Sequence, residues 1–75
     1  MRRFVASCRD PVTNGYLFYS ECSYNMACCQ LESEGFECEK TETVDTRFTK
    51  IKGIFKGTPM EFLYDEERGY LLRTA

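Results

Sequence analysis

Four of the five cysteines fall within residues 19–40, YSECSYNMACCQLESEGFECEK: Cys22, Cys28, Cys29 and Cys38, with Cys8 upstream. Thiols can ligate a soft metal, close disulfides, attack an electrophile or fill a core. A structural zinc site needs four ligands converging tetrahedrally, most often from CxxC knuckles. This chain has no CxxC and no histidine. Adjacent Cys28 and Cys29 point about 100° apart if they lie on a helix. No metal ligand is assigned on this spacing, and a cysteine-ligated zinc module is kept as an alternative. Five is an odd number for a secreted disulfide scaffold, and a nucleophilic Cys29 lacks a histidine base. The expected role is packing: Cys8, Cys22, Cys28 and Cys38 lining one core as small apolar residues, with Cys29 half exposed.

Other catalytic patterns are missing. There is no Gly-rich phosphate loop, no GxSxG and no DxD cluster. Glu66 and Glu67 are neighbours in a turn, and Asp65 reads as turn chemistry. No catalytic residue and no cofactor is expected, and the chain is not expected to be an enzyme.

Charge is uneven along the chain. Glu21 to Asp45 contains seven acids and one base, Lys40, whereas Arg47 to Lys56 contains four bases and no acid. Net charge is −2 and the pI is near 5.1, which argues against broad electrostatic binding to nucleic acid. Glu32, Glu34, Glu37, Glu39 and Glu42 are the candidate acidic face, suited to a basic groove on a protein partner. Arg47, Lys50, Lys52 and Lys56, with Phe55 as a stacking platform, are the alternative nucleic-acid contact. Tyr16, Tyr19, Tyr64 and Tyr70 divide between core and interface.

The elements that must position these residues follow from periodicity. Residues 3–9 alternate, with Phe4, Ala6 and Cys8 on one face, and read as a strand. Residues 10–15, DPVTNG, are turn chemistry leading to a second strand over 16–22. Ser23 is an N-cap. Tyr24, Ala27, Cys28 and Leu31 share one helical face, and Gly35 fits the left-handed position that ends the helix. Residues 36–44 alternate, with Phe36 and Cys38 inward and glutamates outward. Residues 48–57 are β-rich, as one strand or two, and Gly53 marks a bulge. Pro59 opens a strand with Met60, Phe62 and Tyr64 on one face, residues 65–69 turn, and residues 70–75 close the chain as a strand. The expected fold is therefore α+β: a single domain over 1–75, an antiparallel sheet with one helix across it, in the order β-β-α-β-β-β-β.

At 75 residues, 43% of them hydrophobic and 15% aromatic, the chain is globular rather than disordered, with a small core. No apolar run approaches the roughly 20 residues of a membrane span. The start lacks the apolar segment of a secretory signal, so the cytoplasm is the expected compartment.

Residues 16–44 are similar in layout to very small phage-encoded inhibitors: the inhibitor of bacterial RNA polymerase and some ββαββ-type anti-CRISPR proteins. Ser23, Ala27 and Gly35-Phe36-Glu37 carry this resemblance. It implies a non-catalytic protein that binds and blocks a host machine, and it assigns no functional residue. The expectation is a cytoplasmic inhibitor that docks on a larger nucleic-acid-handling complex, such as a CRISPR effector, by steric occlusion or acidic mimicry. Direct nucleic-acid binding through residues 47–56 is the rival.

Overall fold

Turn chemistry divides the chain, and alternation gives β4, β5 and β6 a face that joins the core. A computed structural model of the protein describes residues 2–3 and 9–74. The elements are β1 (Arg2–Arg3), β2 (Tyr16–Ser20), α1 (Tyr24–Ser33), β3 (Phe36–Thr43), β4 (Phe48–Phe55), β5 (Thr58–Asp65) and β6 (Tyr70–Arg73). The strands form one antiparallel sheet in the spatial order β1-β2-β6-β5-β4-β3. The α+β fold is as expected. Of the first expected strand, residues 3–9, Arg3 in β1 and Arg9 in its bridge to Tyr16 are described, while Phe4, Ala6 and Cys8 lie outside the described residues. Residues 48–55 are a single strand, turned by Lys56–Gly57 into β5.

Helix α1 starts at Ser23, whose hydroxyl accepts the Met26 N–H at 3.2 Å, satisfying one orphan donor of the first turn. It stops before Gly35, where φ is +104°. Ala27 and Leu31 are fully buried against the sheet. Under them lie Tyr19, Phe36, Ile51, Phe62, Tyr64 and Leu71. Phe62 sits centrally, edge-on to Phe36 at 5.4 Å and beside Phe18 at 5.1 Å; such offset and edge geometries suit the ring quadrupoles. Tyr19 and Tyr64 are therefore core residues. Tyr64 also donates its hydroxyl proton to the Cys22 carbonyl at 2.6 Å.

Two bulges break the alternation, and each changes which side chains share a face. On β2 the register moves from Leu17–Leu72 to Tyr19–Leu71, so Phe18 is an extra residue, and Phe18 and Tyr19 both reach the core. On β3 the register moves from Cys38–Gly53 to Lys40–Lys52, so Glu39 is the extra residue. The bulge expected at Gly53 thus belongs to its partner strand. Gly53 itself is required by crowding: a Cβ there would meet the Glu37 carbonyl and the Phe36 ring.

Three loops are joined by ion pairs around Asp65, the end of β5. This carboxylate is fully buried. Its two oxygens accept the Nε and Nη2 protons of Arg47, each at 3.0 Å, the Arg68 Nε at 2.6 Å, and the backbone N–H groups of Glu67 and Arg68. Arg68 then forks onto Asp10 through Nη1 at 2.8 Å and Nη2 at 3.0 Å, and Asp10 accepts both donors of Thr13 at 2.9 Å. The loop at 10–15, the β3–β4 loop and the β5–β6 turn are held by these four charges. Reading Asp65 as ordinary turn chemistry captures only its bonds to Glu67 and Arg68.

Burial pushes the Asp65 carboxyl up, but Arg47 and Arg68 more than offset this and bring it down to about 2. The Arg68 fork, working against burial, holds Asp10 well below the ordinary carboxylate range. A carboxyl that titrates lower in the fold than in the unfolded chain stabilises the fold above its unfolded value, 3.8. That contribution is lost as pH falls through the folded value. Thermal stability is therefore expected to hold from pH 7 to about 5 and to fall steeply from 3.8 toward about 2, with a shallower slope in Asp10→Asn, as read by circular-dichroism melts. At neutral pH, Asp65→Asn leaves two arginines without their shared anion. A loss of about 3–5 kcal/mol is expected in urea melts, and a loss under about 1 kcal/mol would show the network to be no more than a surface pair.

Candidate functional site

Strand β3 is the edge of the sheet, and among the described residues no strand pairs with its outer side. Seven of its eight residues are exposed, all but Phe36. Its two side-chain rows differ in chemistry. Phe36, Cys38, Thr41 and Thr43 face the helix side with their β4 partners Phe55, Gly53, Ile51 and Thr49. Glu37, Lys40 and Glu42 face the opposite side with Ile54, Lys52 and Lys50, and the bulge adds Glu39 to that row. Strict alternation from Phe36 would turn Glu42 toward the helix; the extra residue places it with Glu37 instead.

On the helix side, α1 does not reach over the whole strand. A cavity of about 160 Å³ opens between them, lined by Cys28, Leu31 and Glu32 of the helix, Phe36 and Cys38 of β3, and Ile51 of β4. Beyond the helix N-terminus a wider, polar hollow of about 390 Å³ continues along the same strand, bordered by Tyr24, Thr41, Thr43, Thr49, Asp45 and Glu66. The two hollows share no lining residue: the one at the Cys38 end of β3 is apolar and the one at the Thr43 end is rich in hydroxyls.

The five candidate glutamates divide accordingly. Glu37, Glu39 and Glu42 line the exposed edge, and Glu32 borders the apolar cavity. Glu34 is half-buried, accepting from the Tyr19 hydroxyl and from Gln30 Nε2 at 3.2 Å. The acidic row is interleaved with bases: Lys40, Glu42, Lys50 and Lys52 surround one small hollow, and Lys52 approaches Glu61 at 3.7 Å. Of the basic segment, Arg47 is bound to Asp65, Lys50 lies opposite Glu42, and Lys56 sits over the Phe55 ring at 5.6 Å. Phe55 packs against Phe18 and Phe36 rather than standing clear of the core.

The cysteines do not all line one core. Cys22 is buried, its thiol 3.5 Å from the Gly69 carbonyl, and it lies past the end of β2, which stops at Ser20. Cys28 is half-buried, while Cys29 and Cys38 are exposed. Cys38 has the expected inward direction, but an edge strand has no outer neighbour to cover it, and that corrects its placement in the core. Cys8 lies outside the described residues. Burial pushes the Cys22 and Cys28 thiols up, away from the thiolate a nucleophile or metal ligand requires. Among the described residues no group of three or more Cys, Asp or Glu is arranged to hold a metal ion. The strongly shifted carboxylates, Asp10 and Asp65, have their oxygens occupied by arginine and backbone donors, which suits a structural tie. No helix among the described residues is long and apolar enough to cross a membrane.

No protein-family model, curated protein or solved structure matches the chain.

The exposure order gives a direct test. In a Cys8→Ser variant, Ellman's reagent is expected to titrate Cys29 and Cys38 in the native protein, Cys28 more slowly, and Cys22 only on addition of denaturant. Equal protection of Cys38 and Cys22 would place Cys38 in the core after all.

Proposed function

We propose that this chain is a non-enzymatic protein-binding module that docks through the β3 edge, and that it inhibits a larger nucleic-acid-handling complex of a bacterial host, such as a CRISPR effector, by occupying one of its grooves. One observation supports the reading above the others. Among the described residues, β3 is a long strand edge without a strand partner that presents Glu37, Glu39, Lys40 and Glu42 in one row, with an apolar cavity on its other face. Edge strands are usually blunted or covered, because unpaired backbone groups recruit other chains. Here charge and a bulge discourage indiscriminate pairing, while the acids favour a basic partner and speed its encounter. Steric occlusion is the mechanism, with carboxylates taking positions that a partner's groove keeps for phosphates.

The rival nucleic-acid reading draws on Arg47, Lys50, Lys52, Phe55 and Lys56. Its support is reduced by Arg47 being engaged with Asp65, Lys52 lying near Glu61, and Phe55 packing inward.

The test is affinity capture from nuclease-treated bacterial lysate carrying a CRISPR system, with bound proteins identified by mass spectrometry. A Glu37→Lys/Glu39→Lys variant is expected to lose its partner roughly tenfold or more, and a Lys50→Glu/Lys52→Glu variant to retain it. Capture that is indifferent to both glutamates would end the acidic-docking reading. Recovery of nucleic acid alone, lost with Lys50 and Lys52, would replace it with the rival.

A further inference from the structure

We infer that the β3 edge takes its partner as an added strand: an extended, basic segment pairs with the outer backbone of Phe36–Thr43 and seats one aliphatic side chain in the cavity between α1 and β3. This deepens the docking reading above and rests on it. Three features, each independent of the others, converge on it.

The first is backbone supply. β3 ends the sheet, and among the described residues its outer side has no strand partner. An extended peptide added there gains main-chain hydrogen bonds, with alternate side chains left to specify it.

The second is the size and lining of the cavity. Its about 160 Å³ is below the roughly 300–1,000 Å³ of small-molecule sites, and it suits a single side chain. Its floor is apolar, from the largely buried Leu31, Phe36 and Ile51, and its rim is the half-buried Cys28 with exposed Glu32 and Cys38. It opens beside exposed Cys38, on the face toward which an added strand would direct every second residue. The small thiols at positions 28 and 38 leave the space that a leucine on either element would fill.

The third is charge, which selects the occupant. On the other face of the same added strand, the alternate side chains meet the row of Glu37, Glu39, Lys40 and Glu42, in which three acids outnumber one base. Opposite charges across adjacent strands stabilise pairing, and like charges oppose it. A second copy of this chain pairing β3 to β3 sets two net-acidic rows side by side, so self-association through this edge is disfavoured. A strand with lysine or arginine on one face and aliphatic residues on the other satisfies both rows. The Glu39 bulge interrupts the edge, so pairing divides into a stretch beside Phe36–Cys38, with the anchor, and a stretch beside Thr41–Thr43, where the hollow is polar.

The probe is a blocked heptapeptide in which lysines alternate with valine, leucine and valine, titrated into the full chain labelled with ¹⁵N. Saturable binding is expected, with the largest amide shifts in Phe36–Thr43 and in Cys28–Glu32. Replacing the leucine with alanine should weaken it roughly tenfold. N-methylating alternate peptide bonds on the β3-facing side should abolish it, and a peptide with glutamate in place of lysine should not bind. In the protein, Cys38→Phe fills the cavity and should weaken the leucine peptide while preserving the melting temperature. No binding at millimolar peptide, shifts confined to the Lys50–Lys52 face, indifference to N-methylation, or a concentration-dependent dimer of the chain through β3 would each overturn strand addition. If lysate capture still depends on Glu37 and Glu39 in those cases, the docking reading survives and only its geometry is lost. If capture fails as well, both fall.

Discussion

The fold depends on one fully buried carboxylate. Asp65 carries five donated hydrogen bonds from three residues. Through Arg68 it extends to Asp10, and through Arg47 to the loop that leads into β4. Two acids and two guanidiniums balance in charge. Burying any one of them alone would be costly, and the bidentate geometry is what makes the group tolerable away from water. A chain of this size has little apolar surface to spend on fixing loops. A polar clamp does that work at the end of the sheet where the loop at 10–15, the β3–β4 loop and the β5–β6 turn meet.

The apolar core takes over in the middle of the sheet. Aromatic rings supply much of it, and Phe18, Phe36 and Phe62 meet edge-on or tilted around Ala27 and Leu31. The β2 bulge allows this, since it brings two consecutive aromatic residues to one face of a five-residue strand. The helix is short and covers only part of the sheet. The small side chains Ala27 and Cys28 let it sit close, and the space left toward β3 is the cavity beside Cys38.

The uncovered edge and the covered core are thus two results of one shortage. Ten helical residues cannot shield a six-stranded sheet. The strand left outside carries charge on one row and small polar or thiol groups on the other, which keeps it in water without a partner and available to one. The proposed function uses that edge, and the buried carboxylates Asp10 and Asp65 are already engaged in holding loops.

Local sequence alone determined the helix and its limits and the α+β class. Ser23 as a cap, the Tyr24–Ala27–Cys28–Leu31 face and Gly35 as a stop act within a few residues of themselves, so their effects are readable without the fold. The Met60–Phe62–Tyr64 alternation and the turn at 65–69 are local in the same sense. What only tertiary structure decided was everything set by pairs distant in the chain. Asp65 meets Arg47 across 18 positions and Arg68 meets Asp10 across 58, and no periodicity encodes those meetings. The exposure of Cys38 depends on strand order, because the same alternation in an inner strand would have buried it. The alignment of Glu42 with Glu37 depends on an extra residue at Glu39, and the crowding at Gly53 that accompanies the bulge appears only once Phe36 lies over it. Side-chain direction is a local property of the backbone, whereas burial and charge partnership belong to whatever the fold brings alongside.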